Sequence, residues 1–156
     1  MQRISWSGLK RRLKGRYRGL DRIKRALDHT IEELKPSMVI LFGSLATGEC
    51  VQSSDADMVF IFEEDVEFIE MSNSIRSLDP YGLIEPFPYS LEQFKRMLLD
   101  VNQMAVDAVA YGVVLYDSAG LADDIDRWMD DVRSSKSIEE GSNGYTVDGP
   151  FREACD

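Results

Sequence analysis

The sequence predicts a small α/β (α+β) domain, a β-sheet of about four short strands flanked by helices, with an amphipathic helix near its start and another near its end. Three observations point there. Apolar positions recur at three- and four-residue spacing in several stretches; short continuous apolar runs lie between those stretches; and turns rich in Gly, Pro and Asp separate the two kinds. At 156 residues and 44% hydrophobic content, the chain fits one domain with a core of ordinary size.

The elements follow in order. Leu20, Ile23, Leu27, Ile31 and Leu34 form the stripe of an amphipathic helix that ends at Pro36. Met38-Val39-Ile40-Leu41-Phe42 is a continuous apolar run closed by Gly43-Ser44, as expected for a strand buried on both faces. Asp55 to Phe62 reads as a second strand, with Asp55, Asp57, Val59 and Ile61 on one face. The acidic stretch from Glu63 to Glu70 is expected to start a helix running to about Arg76. After the turn Asp79-Pro80-Tyr81-Gly82, Leu83 to Phe87 forms a third strand, which Pro86 and Pro88 make short or place at an edge. Ser90 with Gln93 completes a capping box before the stripe Leu91, Phe94, Leu98 and Val101. Further helical turns reach Tyr111-Gly112, Val113 to Tyr116 forms the last strand, and Leu121, Ile125, Trp128, Met129 and Val132 line the final helix.

Charge divides the chain more sharply than its sum of −10 suggests. Residues 1–18 hold seven bases and no acid, leaving 11 bases against 28 acids, a net of −17, in the rest. Three regions are therefore expected: a basic, solvated or flexible arm over 1–19, the folded domain over 20–134, and a flexible acidic tail over 135–156, whose Ser, Gly, Glu and Asp content leaves little to bury. Nucleic acid would be repelled everywhere except near the arm, so RNA contact is confined to residues 1–18. The two cysteines, without CxxC spacing, suit a reducing cytoplasmic interior; a single histidine gives zinc no support; and no apolar run is long enough to span a membrane. The stripe of the first helix and the face of the last both need covering, which suggests a partner protein or a second copy of the chain.

The segment that carries chemistry is Gly43-Ser44, ten residues, then Asp55-Ala56-Asp57. A strand ending in Gly-Ser and turning into a short helix offers backbone N–H groups and a hydroxyl to phosphate oxygens, and glycine lets the phosphate approach. Aspartates at i and i+2 on a strand project to one side about 7 Å apart, within reach of divalent metal. Their hard oxygens select Mg²⁺ or Mn²⁺.

In Leu41-Phe42-Gly43-Ser44-Leu45-Ala46-Thr47-Gly48-Glu49 and Ser54-Asp55-Ala56-Asp57-Met58-Val59 the chain resembles the DNA polymerase beta-like nucleotidyltransferase superfamily, in particular its minimal nucleotidyltransferase (MNT) branch. Glu85, in Leu83-Ile84-Glu85-Pro86-Phe87, falls where that family has its third acid, and the resemblance covers about residues 20 to 117. It implies a mixed sheet of the nucleotidyltransferase fold and an enzyme of EC 2.7.7 type, which moves a nucleoside monophosphate, AMP from ATP above all, onto a hydroxyl. It further implies that Asp55, Asp57 and Glu85 are catalytic and hold the metal, that Gly43 and Ser44 grip the β- and γ-phosphates, and that the acceptor is a HEPN-type toxin to which this chain is the antitoxin. Two departures stand out. Leu45, Ala46 and Thr47 occupy a stretch where the family often has arginine, which implies low nucleotide affinity, and Glu85 replaces the commoner aspartate. Both leave open a catalytically silent binding module, and transfer to RNA or to a small-molecule hydroxyl is a further alternative.

Overall fold

The computed structural model describes residues 1–50 and 52–140. Four strands, β1 (Met38–Phe42), β2 (Ala56–Phe62), β3 (Ile84–Ser90) and β4 (Val113–Asp117), form one mixed sheet in the order β3-β2-β1-β4. β1 runs antiparallel to both β2 and β4, whereas β2 and β3 are parallel. Seven helices accompany them among the described residues: α1 (Trp6–Arg12), α2 (Leu20–Leu34), α3 (Ser44–Thr47), α4 (Phe68–Ser77), α5 (Leu91–Leu99), α6 (Gln103–Tyr111) and α7 (Leu121–Glu140).

Alternation along the central strands divides the core in two. Val39, Leu41, Met58, Phe60 and Phe62 meet residues of α1, α2 and α4 on one face of the sheet. Met38, Ile40, Phe42, Val59 and Ile61 meet α5, α6 and α7 on the other. Because β1 and β2 are covered on both sides, they read as continuous apolar runs rather than alternating ones. The α2 helix stops where expected, with Lys35 in the left-handed region just before Pro36. At α5 the capping box is formed as its residues require: Ser90 Oγ accepts from the Gln93 N–H, and the Gln93 side chain accepts from the Ser90 N–H.

Several expectations are corrected. The α4 helix begins at Phe68, later than Glu63, because the Glu67 carboxylate caps it by accepting the Glu70 N–H. β3 extends to Ser90. It is an edge strand, so Pro86 and Pro88 cost no hydrogen bond to an outer neighbour, while Phe87 and Tyr89 join the second core face. α7 continues past Ser134 to Glu140; the flexible tail expected over 135–156 lies, from residue 141 onward, outside the described residues.

The largest correction concerns the basic segment. Residues 1–18 are not a solvated arm: Leu9, Leu13 and Tyr17 are buried in the same cluster as Leu20, Ile23 and Leu27. Gln2 bridges Val113 beside β4. Part of the positive charge is compensated locally, Arg3 by Asp123 and Asp126 and Lys10 by Asp21. This segment packs on the stripe of α2, and α5 and α6 pack on Ile125 and Met129 of α7. No described helix is long and apolar enough to cross a membrane.

Candidate active site

The end of β1, the start of β2 and the start of β3 converge. In the register Phe42 stands opposite Asp57, and Asp57 opposite Glu85. Because strand side chains alternate, Asp57 and Glu85 share the sheet face that carries Val59, Ile61, Phe87 and Tyr89. Asp55 sits just before β2. All five residues singled out in the sequence, Gly43, Ser44, Asp55, Asp57 and Glu85, are therefore brought to one end of the sheet.

Gly43 directly follows β1 and caps α3 with φ at +74°, a conformation side chains disfavour. A methyl group there would lie 2.5 Å from Oδ2 of Asp57. Glycine is required on both counts, and it leaves the carboxylate against bare backbone at the turn into α3. Gly43→Ala is accordingly expected to lower stability by about 1–3 kcal/mol and to displace Asp57; a thermal melt that matches the unsubstituted protein would refute the close approach.

The electrostatics of this end are those of crowded carboxylates. Burial, and then the negative charges of Glu85 and Asp55, push the Asp57 carboxyl up to about 6. No basic side chain pairs with Asp57 among the described residues, and the donor chemistry of Asp55 and Asp57 fits a hard divalent ion. Glu85 departs from the expected arrangement. It lies beside Asp57, but its carboxylate is held by Arg76 of α4, with Nη2 2.8 Å from Oε1 and Nη1 3.4 Å from Oε2. No group of three or more His, Cys, Asp or Glu side chains is gathered closely enough to hold a metal ion among the described residues. The structure thus sets Asp57 and Glu85 side by side in register, with Asp55 just before β2, without giving the three acids one shared coordination sphere.

Two residues near the site were not anticipated from the sequence. Arg76 gave no local signal, since its partner Glu85 lies nine positions away on another element. Tyr17 is buried with its hydroxyl unpartnered, and burial, with Asp55 as the first of several negative neighbours, pushes its phenol up. Leu9, Leu13 and Tyr17 recur at four-residue spacing, an apolar pattern that could have revealed the packing of this segment although α1 itself ends at Arg12. Asp79 is structural: its oxygens accept from the N–H groups of Tyr81 and Ile84, which fixes the turn into β3. A cleft of about 600 Å³ lies at the other end of the sheet, lined by Lys35, Glu63, Glu64 and Tyr116 among others.

Solved structures similar to this chain include a mutant of the toxin–antitoxin MntA-HpeT (14% identity, 78% of this chain and 91% of the other, TM-score 0.49). Another is a toxin–antitoxin with AMP-PNP (17% identity, 80% and 91%, TM-score 0.47). A third is the tri-AMPylated Shewanella oneidensis HEPN toxin in complex with MNT antitoxin (16% identity, 80% and 88%, TM-score 0.42). No curated protein matches the chain. The nucleotidyltransferase domain family does match, over residues 20–132, a span that contains the Gly43-Ser44 turn, both aspartates and Glu85. The chain belongs to the nucleotidyltransferase domain family.

Proposed function

We propose that this nucleotidyltransferase moves AMP from ATP, with magnesium or manganese, onto a hydroxyl of a partner protein in the cytoplasm. The observation that carries the reading is the approach of the Gly43 backbone to the Asp57 carboxylate, which sets the glycine turn into α3 beside an acid crowded by negative neighbours. In the reaction the acceptor oxygen forms a bond to the α-phosphorus, the bond from that phosphorus to the bridging oxygen breaks, and pyrophosphate leaves in line. The divalent ion, when bound, neutralises charge that grows on the attacking, leaving and equatorial oxygens. Asp55 and Asp57 would hold it. Gly43 and Ser44 align the β- and γ-phosphates, so that the leaving group is placed before reaction. Glu85, fixed by Arg76, retains lone pairs to accept a hydrogen bond from the acceptor hydroxyl and take its proton.

For the acceptor, the support is the MNT resemblance of Leu41–Glu49 and Ser54–Val59, which suggests a HEPN-type toxin neutralised by AMP transfer. Phe68 and Ile69, 41% and 66% exposed on α4, offer apolar contact for such a partner. The test is transfer of label from α-labelled ATP, with magnesium, to lysate and to a genomically adjacent protein. Label on a protein band is expected with the unsubstituted chain and not with Asp55→Asn/Asp57→Asn; equal label from both would defeat the assignment. The Glu85–Arg76 pair, like the absence of arginine over Leu45-Ala46-Thr47, favours a silent binding module, and that reading requires the double variant to neutralise its partner as well as the original.

A further inference from the structure

The loop that would receive the triphosphate has no cation of its own: residues 36–75, which include the Gly43-Ser44 turn and both aspartates, contain no Lys or Arg. Arg76, the next base, is committed to Glu85. A nucleotide bound there would face carboxylates with only the divalent ion to offset them.

The N-terminal segment changes that balance, because it folds along this loop. Arg12 Nη1 donates to the Ala46 carbonyl at 3.0 Å, Arg16 Nη1 to the Gly48 carbonyl at 2.6 Å, and the Arg18 N–H to Gln52 Oε1 at 3.0 Å. Tyr17, between them in sequence, is close enough for the charge of Asp55 to act on its phenol. Four successive points of the 46–55 connection are thus in contact with, or within electrostatic reach of, residues 12–18.

We propose that Arg12 and Arg16 supply the cationic contacts for the nucleotide's polyphosphate, in place of a base in the loop itself. This inference rests on the nucleotidyl-transfer reading. Arg12 and Arg16 are exposed residues, and each uses Nη1 on a backbone carbonyl, which fixes the side chain and leaves it further N–H donors. Neither pairs with a carboxylate among the described residues, in contrast to Arg3, Lys10, Lys24 and Arg76. Guanidinium is also the cation whose planar fork matches phosphate oxygens. The unusual separation of charge in this chain then has a use: the base-free loop carries the turn and the acids, and the +7 segment docked against it carries the counter-charge.

The test is binding of a non-hydrolysable ATP analogue, with magnesium, to the full chain and to Arg12→Gln, Arg16→Gln, the double variant, and Arg12→Lys/Arg16→Lys. Affinity should fall roughly tenfold for each single glutamine variant and about a hundredfold for the double, with partial recovery in the lysine pair. The dependence of affinity on salt should become shallower in step. If the unsubstituted chain binds and the double glutamine variant matches it within twofold, the arginines do not contact the polyphosphate. If affinity falls only in proportion to a lowered melting temperature, and lysine rescues nothing, they are structural props of the loop. Should the unsubstituted chain bind no nucleoside triphosphate at all, the functional reading falls and this inference with it.

Discussion

Asp57→Asn should abolish transfer and yet stabilise the fold at neutral pH. The loss of activity is expected to be at least about a thousandfold, because the substitution removes a negative ligand from a site whose proposed metal contributes several kcal/mol to the transition state. The gain in stability follows from the carboxylate crowding. In the folded chain the Asp57 carboxyl titrates at about 6, above its ordinary 3.8, through burial and the charges of Glu85 and Asp55. Below about pH 4 both folded and unfolded chains hold the proton, and the favourable contribution of the neutral acid is fully present. As pH rises through 6 the folded state must give the proton up, and that contribution is lost. Above pH 6 Asp57 therefore costs stability. The full shift would correspond to about 3 kcal/mol, and partial solvent access reduces this to about 1 kcal/mol. Asparagine keeps the shape without the charge, so a melting temperature about 3 °C higher at pH 7, with a flattened profile between pH 4 and 6, is the expected result. Magnesium should stabilise the unsubstituted chain, since an ion that binds the folded state shifts unfolding by mass action, and should do less for the variant. A variant that melts below the original at pH 7 would show that the carboxylate is a net stabilising group.

That tension between function and stability explains which parts of the site were legible in the sequence. Gly43-Ser44 and Asp55-Ala56-Asp57 break local rules: a glycine at the end of an apolar strand and two acids opening another are poor choices for packing alone, so they stand out. The sheet was legible for the opposite reason. Met38–Phe42 and Val59–Phe62 are covered on both faces and show unbroken apolar runs, and Ser90 with Gln93 announces the start of α5 by a purely local device. What stayed hidden depends on contacts between distant segments. The Arg76–Glu85 pair needs the parallel pairing of β3 with β2 and the packing of α4 beside it. The burial of Leu9, Leu13 and Tyr17 was masked by the seven bases around them, since a segment with so much charge reads as solvated although its apolar positions recur at regular spacing. The same long-range packing turns an apparent appendage into part of the domain.

Removal of residues 1–18 tests that last point, and the expected result is loss of the folded state. Leu9 and Leu13 are 0% and 1% exposed and Tyr17 is 6% exposed, all three in one cluster with Leu20, Ile23, Leu27, Leu45 and Ala46. Burial of a large apolar side chain contributes about 1.5–3 kcal/mol, so these three alone account for on the order of 5 kcal/mol or more. That equals the lower end of the whole stability of an ordinary domain. The truncated chain also uncovers the stripe of α2 and releases the carbonyls of Ala46 and Gly48 that Arg12 and Arg16 hold. Thermal unfolding followed by circular dichroism should show no cooperative transition, or one lowered by well over 10 °C. A truncated chain that melts like the original would place these side chains outside the core. The result bears on function too, because a deletion that unfolds the domain says nothing about polyanion docking. Charge must be removed without the stripe: Arg11, Lys14 and Arg18 are exposed, and their replacement by glutamine leaves Leu9, Leu13 and Tyr17 in place. If RNA were the acceptor, that triple variant would lose affinity for it with a shallower salt dependence, whereas transfer to a protein hydroxyl should continue at its original rate.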